Sequence, residues 1–315
     1  MSVTQRNSTL TLLAFLAVYV LWGSTYLAMR IGDESFPPLL LAGTRHLVTG
    51  LLFYPFFRWK TGIRPTKEHW ITAAITGFLL LCVANGGVCW AELTVPSGVA
   101  ALLVAMVTLW MVIVDWLRPG GHRPSSRVFV GIILGFAGLT LLVGPSHLGN
   151  SGRINPWGAA VLAIASFAWA IGSIYSKHSP HPASALLSMS MQCLAGGVAL
   201  WIGGFLSGEL HSLHYAAVST RSWLAVAYLI VFGSGIGLTA YNYILKSSTA
   251  PRVATYAFVN PVVALFLGWG FASEELTLRT LLAAAVILGA VVLVITAPQR
   301  SAAPEPEPVP VPNEV

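Results

Sequence analysis

The chain has 315 residues, 56% of them hydrophobic and 9% charged, with a formal net charge of +6. A soluble domain carries about 25% charged residues, so this composition excludes a water-soluble core and points to a polytopic membrane protein. The length leaves no room for a large extramembrane domain, and in such a chain basic residues report orientation rather than nucleic-acid binding.

Ten apolar runs follow one another, each near the ~20 residues that a spanning helix needs. Their predicted bounds are 9–29, 37–57, 69–91, 97–117, 127–144, 156–176, 183–206, 222–244, 252–271 and 278–297. Turn chemistry separates them at Pro37-Pro38, at Pro96-Ser97-Gly98, at Pro119-Gly120-Gly121, between Pro145 and Pro156, and at Ser179-Pro180-His181-Pro182. The alternating pattern of β-barrel strands is absent. The first run follows a single basic residue, Arg6, has no A-x-A cleavage site, and is too long for a signal-peptide core. It is expected to stay as the first span. Cys82, Cys89 and Cys193 lie inside apolar runs and are expected to be free thiols.

With the N-terminus placed in the cytoplasm, the inner segments hold 12 Lys and Arg and the outer segments hold 4. That bias predicts both termini inside. Residues 299–315 are rich in Pro and Glu and predict an extended cytoplasmic tail.

The runs form two copies of one plan. Gly23-Ser24-Thr25-Tyr26 in the first run is matched by Gly172-Ser173-Ile174-Tyr175 in the sixth, 149 positions later. Arg45-His46-Leu47 with Gly50 is matched by Gln192-Cys193-Leu194 with Gly197, 147 positions later. The units are 1–147 and 148–298. Each holds five spans, an odd number, so the second crosses the membrane the opposite way up. Inverted repeats of this kind are built around a midplane binding site in secondary transporters.

The polar residues inside the runs are the candidate site. Arg45 falls ~12 Å into a ~30 Å core, where a cation must face the bundle interior or a wet cavity. It holds a substrate carboxylate, sets the gate by pairing with an acid, or fixes packing through backbone carbonyls and neighbouring helices. Asn85, Asn242 and Asn260 are flanked by Trp22, Tyr26, Trp90, Trp169, Tyr175, Tyr241 and Tyr256. This set suits a cavity that grips an amphipathic solute, the competing reading being an aromatic belt at the headgroups. Glu92, at the end of the third span, is the candidate for proton coupling, against a solvated helix-end acid. Asp115 and Arg118 read as a local i,i+3 pair. His46 reads as a hydrogen-bonded packing residue. Pro261 in the ninth run is a candidate hinge. Gly233-Ser234-Gly235-Ile236-Gly237 reads as a close-packing surface, because no strand precedes it. His178/His181 and His211/His214 have metal-like spacing without further ligands, and solvated loops explain them better. No nucleophile elbow, Walker sequence or carboxylate dyad is visible, so no catalytic residue, metal or cofactor is assigned.

Trp22-Gly23-Ser24-Thr25-Tyr26, then Pro37-Pro38 and Arg45, resembles the opening of the drug/metabolite transporter superfamily, EamA type. Asn85 to Glu92, Ala254-Thr255-Tyr256, Val259-Asn260-Pro261 and Ser273-Glu274-Glu275-Leu276 extend the likeness. Within that superfamily the chain is similar to the YedA-type inner-membrane permeases. The resemblance implies ten helices in two inverted repeats and export of metabolites, amino acids or drugs. It also implies a central cavity, with Trp22, Ser24, Tyr26, Asn85, Trp169, Ser173, Tyr241, Tyr256 and Asn260 as lining residues. Thr108 stands where the family often has a proline matching Pro261. The first span lacks the membrane glutamate of the small multidrug resistance proteins, so their proton-exchange mechanism does not transfer. The expectation is an inner-membrane permease, monomeric or dimeric, that exports amino acids or related solutes by alternating access. The alternatives are a multidrug efflux permease and a membrane receptor or scaffold.

Overall fold

The computed structural model describes residues 3–95, 100, 103–121, 123–143, 155–213, 217–272 and 277–297. Within them every regular element is a helix. The tail, the Pro96-Ser97-Gly98 turn, the connection between the repeats and Ser273-Glu274-Glu275-Leu276 lie outside the described residues, as do the side chains of Tyr26 and Glu92.

The first repeat contains α1 (Val3–Asp33), α2 (Pro38–Thr61), α3 (Lys67–Glu92), α4 (Val107–Leu117) and α5 (Ser126–Val143). The second contains α6 (Pro156–His178), α7 (Ala185–Leu206), α8 (Thr220–Ser247), α9 (Ala250–Ala272) and α10 (Leu278–Ile295). Six of them are long and apolar enough to cross a membrane: Ser8–Asp33, Pro38–Thr61, Lys67–Ala91, Pro156–His178, Ala185–Leu206 and Thr220–Ser247. Val107–Leu117, Ser126–Leu141 and Leu281–Ile295 are shorter apolar helices.

Helix starts follow local capping chemistry. Asn155 accepts the Trp157 amide at 3.0 Å ahead of Pro156, and Ser219 accepts the Ser222 amide at 3.1 Å. Thr66 and His69 cap each other's amides at 3.3 and 3.2 Å. Gly62, at φ 64°, closes α2 in the left-handed conformation.

The two repeats share their irregularities. Both third helices widen to π geometry, at Gly77–Gly86 in α3 and Leu229–Leu238 in α8, 152 positions apart. Such segments are rare and concentrate at functional sites. Both fourth helices are interrupted: a turn at Ala105 and Met106 precedes α4, and Thr255 divides α9. At that division the Phe258 and Val259 amides both go to the Thr255 carbonyl, and the Ala254 carbonyl accepts Thr108 Oγ1 at 3.3 Å instead. Pro261, the expected hinge, lies in the same helix as this break. α9 continues as helix from Tyr256 through Pro261 to Ala272, and the break is at Thr255. Pro261 has no amide to donate to the Ala257 carbonyl, the usual origin of a kink in a helix that continues.

Helices α1 and α9 pack together, as do α4 and α6, their repeat mates. α2 packs along α7 and α5 along α10, so these pairs straddle the pseudo-two-fold axis. Residues on that axis touch their own counterparts. His46 Nδ1 is 3.8 Å from Cys193 Sγ. Gly50 faces Leu194 and Gly197 faces Leu47, the reciprocal pattern of a two-fold interface. A Cβ on Gly50 would stand 2.7 Å from the Leu194 backbone nitrogen, so glycine is what permits this approach.

A central cavity and its aromatic floor

A cavity of about 110 Å³ lies between the repeats, with walls from α1, α2, α3, α6, α8, α9 and the segment leading into α4. Its size suits a cluster of waters or one small solute. Most of the wall is apolar, including Met29, Leu81, Val88, Val107 and Leu238. Its polar groups are Thr25, Arg45, His46, Asn85, Ser166, Ser234 and Asn260.

Arg45 carries that polarity. It is buried in α2, donates through Nη2 to Asn85 Oδ1 at 2.7 Å, and through Nε to His46 Nε2 at 3.2 Å. Because His46 Nε2 accepts, its proton sits on Nδ1, which faces Ser234 Oγ at 3.2 Å. Asn85 and Ser234 both belong to π segments, so these irregular stretches supply the partners of the buried cation. Among the described residues the ion pairs are Asp115 with Arg118 at 2.8 Å and Glu34 with Arg221 at 3.8 Å, and neither involves Arg45. His46 thus lines the cavity as part of this polar network.

The floor is aromatic. Trp22 lies 5.5 Å from Trp169, 5.0 Å from Tyr241 and 5.2 Å from Tyr256, measured between ring centroids. Trp22 Nε1 donates to the Gly233 carbonyl at 3.1 Å, and Trp169 Nε1 donates to Tyr241 Oη at 2.9 Å. Ser173 Oγ bonds the same phenol at 2.5 Å. Beyond these rings the bundle is filled by Val18, Met111, Ile244, Leu245 and Val253. The cavity is therefore sealed toward the end that holds the start of α1 and the end of α8.

Of the sequence candidates, Trp22, Arg45, Asn85, Trp169, Tyr256 and Asn260 meet at the cavity wall. Four others do not. Ser24 is two residues from Trp22, about 200° round the helix, and bonds Tyr228 at 2.6 Å on the seam with α8. Trp90 is five residues from Asn85, about 140° round. It is 38% exposed and borders a shallow outer groove. Ser173 and Tyr241 sit one turn deeper and form the floor's hydrogen-bonded support. Tyr26 and Glu92 fall on side chains outside those described. Asn260 is buried; with its amide nitrogen facing acceptors it donates to the Tyr256 carbonyl at 3.1 Å and the Tyr19 carbonyl at 3.3 Å. It locks α1 to α9 as well as touching the cavity. Thr25 and Met29, one and two turns on from Trp22, line the cavity and escaped sequence reasoning. Their spacing from Trp22 was the available signal.

Two groups outside the spans hold the ends. Glu209 accepts the Leu39 and Leu40 amides at 3.3 and 3.0 Å. A carboxylate of the second repeat thus caps α2 of the first, where the helix dipole favours an anion. Its pKa is raised by burial, which those two hydrogen bonds partly oppose. His181 is more than a solvated loop residue. Its Nε2 donates to the Ser176 carbonyl and its Nδ1 accepts from Ser188 Oγ, both at 2.7 Å, tying α6 to α7. Burial lowers its pKa. No disulfide links Cys82, Cys89 or Cys193, and the described residues contain no metal-ligating cluster.

A polytopic helical bundle with a doubled plan and a cavity between its halves, sealed toward one end, is the architecture of a membrane transporter. The EamA-like transporter family model matches residues 9–144 and again 156–296. The inner membrane transporter YedA of Escherichia coli (strain K12) is 40% identical over 282 residues, covering 89% of each chain. The transporter YvbV of Bacillus subtilis (strain 168) is 27% identical over 291 residues, covering 92% of each. A probable amino-acid metabolite efflux pump of Escherichia coli (strain K12) is 27% identical over 291 residues, covering 89% of this chain and 90% of that one. A crystal structure of another protein shares the fold, with a TM-score of 0.72 at 20% identity, over 91% of this chain and 97% of that one. The chain belongs to the EamA-like transporter family. It is a transporter of the membrane rather than an enzyme.

Proposed function

We propose that this transporter exports small amphipathic solutes, amino acids or related compounds foremost, across the inner membrane by alternating access. The observation that carries the reading is Arg45. It is a buried cation held by Asn85 and His46, with no ion-pair partner among the described residues, at the wall of an otherwise apolar cavity. A carboxylate suits that corner, and the apolar and aromatic walls suit a side chain. The likeness to the probable amino-acid metabolite efflux pump of Escherichia coli supports the same class. A multidrug permease for cations is disfavoured, because the described cavity wall presents a cation and no carboxylate. A receptor or scaffold without transport is the remaining rival.

In this reading each repeat supplies five spans, 1–147 and 148–298, and residues 299–315 form a cytoplasmic tail. Both termini lie in the cytoplasm, so the aromatic floor faces inward and the structure is the form closed on that side. Glu92 remains the candidate for proton coupling. Counterflow in proteoliposomes with a pooled amino-acid and metabolite mixture, with and without a pH gradient, tests the function. Accumulation of one or more amino acids is expected. Absence of flux across the whole pool would favour the receptor reading.

A further inference from the structure

The two repeats each carry one buried polar link between their second and third helices. In the first repeat it joins Arg45 of α2 to Asn85 of α3 at 2.7 Å. In the second it joins Gln192 of α7 to Asn242 of α8, also at 2.7 Å. Arg45 lies seven residues past the first residue of α2, Pro38, and Gln192 seven past the first residue of α7, Ala185. The members of the two pairs differ in one respect. Arg45 and Asn85 line the cavity, whereas Gln192 and Asn242 lie in the filled half beyond it.

The hidden pair is incompletely satisfied. Asn242 Nδ2 donates to Gln192 Oε1, which leaves Gln192 Nε2 and Asn242 Oδ1 without any hydrogen-bond partner. Gln192 is 1% exposed and Asn242 6% exposed, so water does not compensate them. Exchanging oxygen and nitrogen on both amides gives the same count: one donor group and one acceptor remain over. Buried orphan polar atoms are costly, and they persist where the structure has a use for them.

We propose that Gln192 and Asn242 form a second polar binding site, closed in this structure, that becomes the cavity wall when the bundle opens at its other end. The reasoning rests on the alternating-access reading above and extends it to a named site. In an inverted repeat the second half adopts the first half's arrangement when access switches. Gln192 then takes the place now held by Arg45, with Asn242, its hydrogen-bond partner, at its side. A leftover amide N–H and a leftover amide oxygen on one bonded pair match a ligand that presents both an acceptor and a donor. The carboxylate and ammonium of an amino acid are such a pair. This site is neutral where the first is cationic, so the carboxylate is held less tightly at the second. Release at the face where Arg45 opens then limits turnover.

Thiol labelling in membranes tests this, in protein whose Cys82, Cys89 and Cys193 have been replaced by serine. Asn242→Cys and Asn85→Cys are each probed with a membrane-impermeant maleimide from either face, with and without a pool of the standard amino acids. Gln192→Cys serves as a second reporter, and monodisperse elution in detergent establishes folding of each. Asn242→Cys should label from the face bearing the start of α1, and Asn85→Cys from the opposite face. The pool should slow both reactions by about tenfold at roughly ten times Kd. Labelling of positions 242 and 192 from the Asn85 face, or from neither face, would overturn the proposal. Protection of position 85 without protection of 242 and 192 would refute the second site and leave the central one standing. Protection of neither position would remove the central solute site and this proposal with it.

Discussion

Arg45→Gln tests the chemistry of the cavity most directly. The guanidinium is 6% exposed, fixed by Asn85 at 2.7 Å, and set in a cavity of about 110 Å³ with mostly apolar walls. A hydrogen bond to a charged group contributes about 1.5–3 kcal/mol, and exclusion of water favours the upper end. At about 1.4 kcal/mol per decade, the substitution weakens binding of a carboxylate about 10- to 150-fold. The decarboxylated amine of the same side chain loses little, because it never engaged the guanidinium. Insertion scales charge a central arginine about 2.5–3.5 kcal/mol, so its removal does not harm membrane integration. The assay is counterflow in proteoliposomes with the acid and its amine side by side, after detergent elution has established folding. An equal loss for acid and amine, or no loss for either, would refute the assignment of Arg45 as the carboxylate's partner.

Three further outcomes follow from the packing. Gly50→Leu should destabilise the bundle by about 1–3 kcal/mol or more, since its Cβ alone meets the Leu194 backbone at 2.7 Å; melting in detergent reads it, while Gly203→Leu, with open space around it, is the neutral control. Tyr241→Phe strips the phenol that serves Trp169 and Ser173 and leaves the indole N–H buried and unpaired, a loss of about 1–3 kcal/mol measured the same way. Glu209 has a folded pKa raised by burial, so the folded protein binds its proton more tightly than the unfolded chain. Stability should then fall as pH rises from the usual carboxylate range toward the raised value. Glu209→Gln should flatten the melting temperature across that window, and an unchanged slope would refute the burial of its carboxyl as the source of the pH dependence.

The doubled plan was legible because it is written in identities: the GSxY elements, and Arg45-His46-Leu47 against Gln192-Cys193-Leu194. The helices were legible from runs of apolar residues with proline and glycine between them. Which face each helix turns inward was much less so. A helix that is apolar all round carries no amphipathic phase to read, and that is why Ser24 and Trp90 were placed on the cavity. π segments in α3 and α8 shift the phase again, and no residue type announces them. The helix break at Thr255, compensated by Thr108 from another helix, gives no local sign in the sequence. His46 was read as packing because its partners, Arg45 apart, come from α7 and α8.

The reciprocal seam between α2 and α7 makes this single chain an internal homodimer. Gly50 receives Leu194 and Gly197 receives Leu47, so each half carries both the socket and the knob. The peptide connection between residues 143 and 155 then supplies little beyond local concentration. Two separately made half-chains already own the surfaces needed to find one another. Enlarging either glycine would evict the other half's leucine, so this line tolerates change only in matched pairs. The freedom to specialise lay away from the seam, where a cation in one half is answered by an amide in the other.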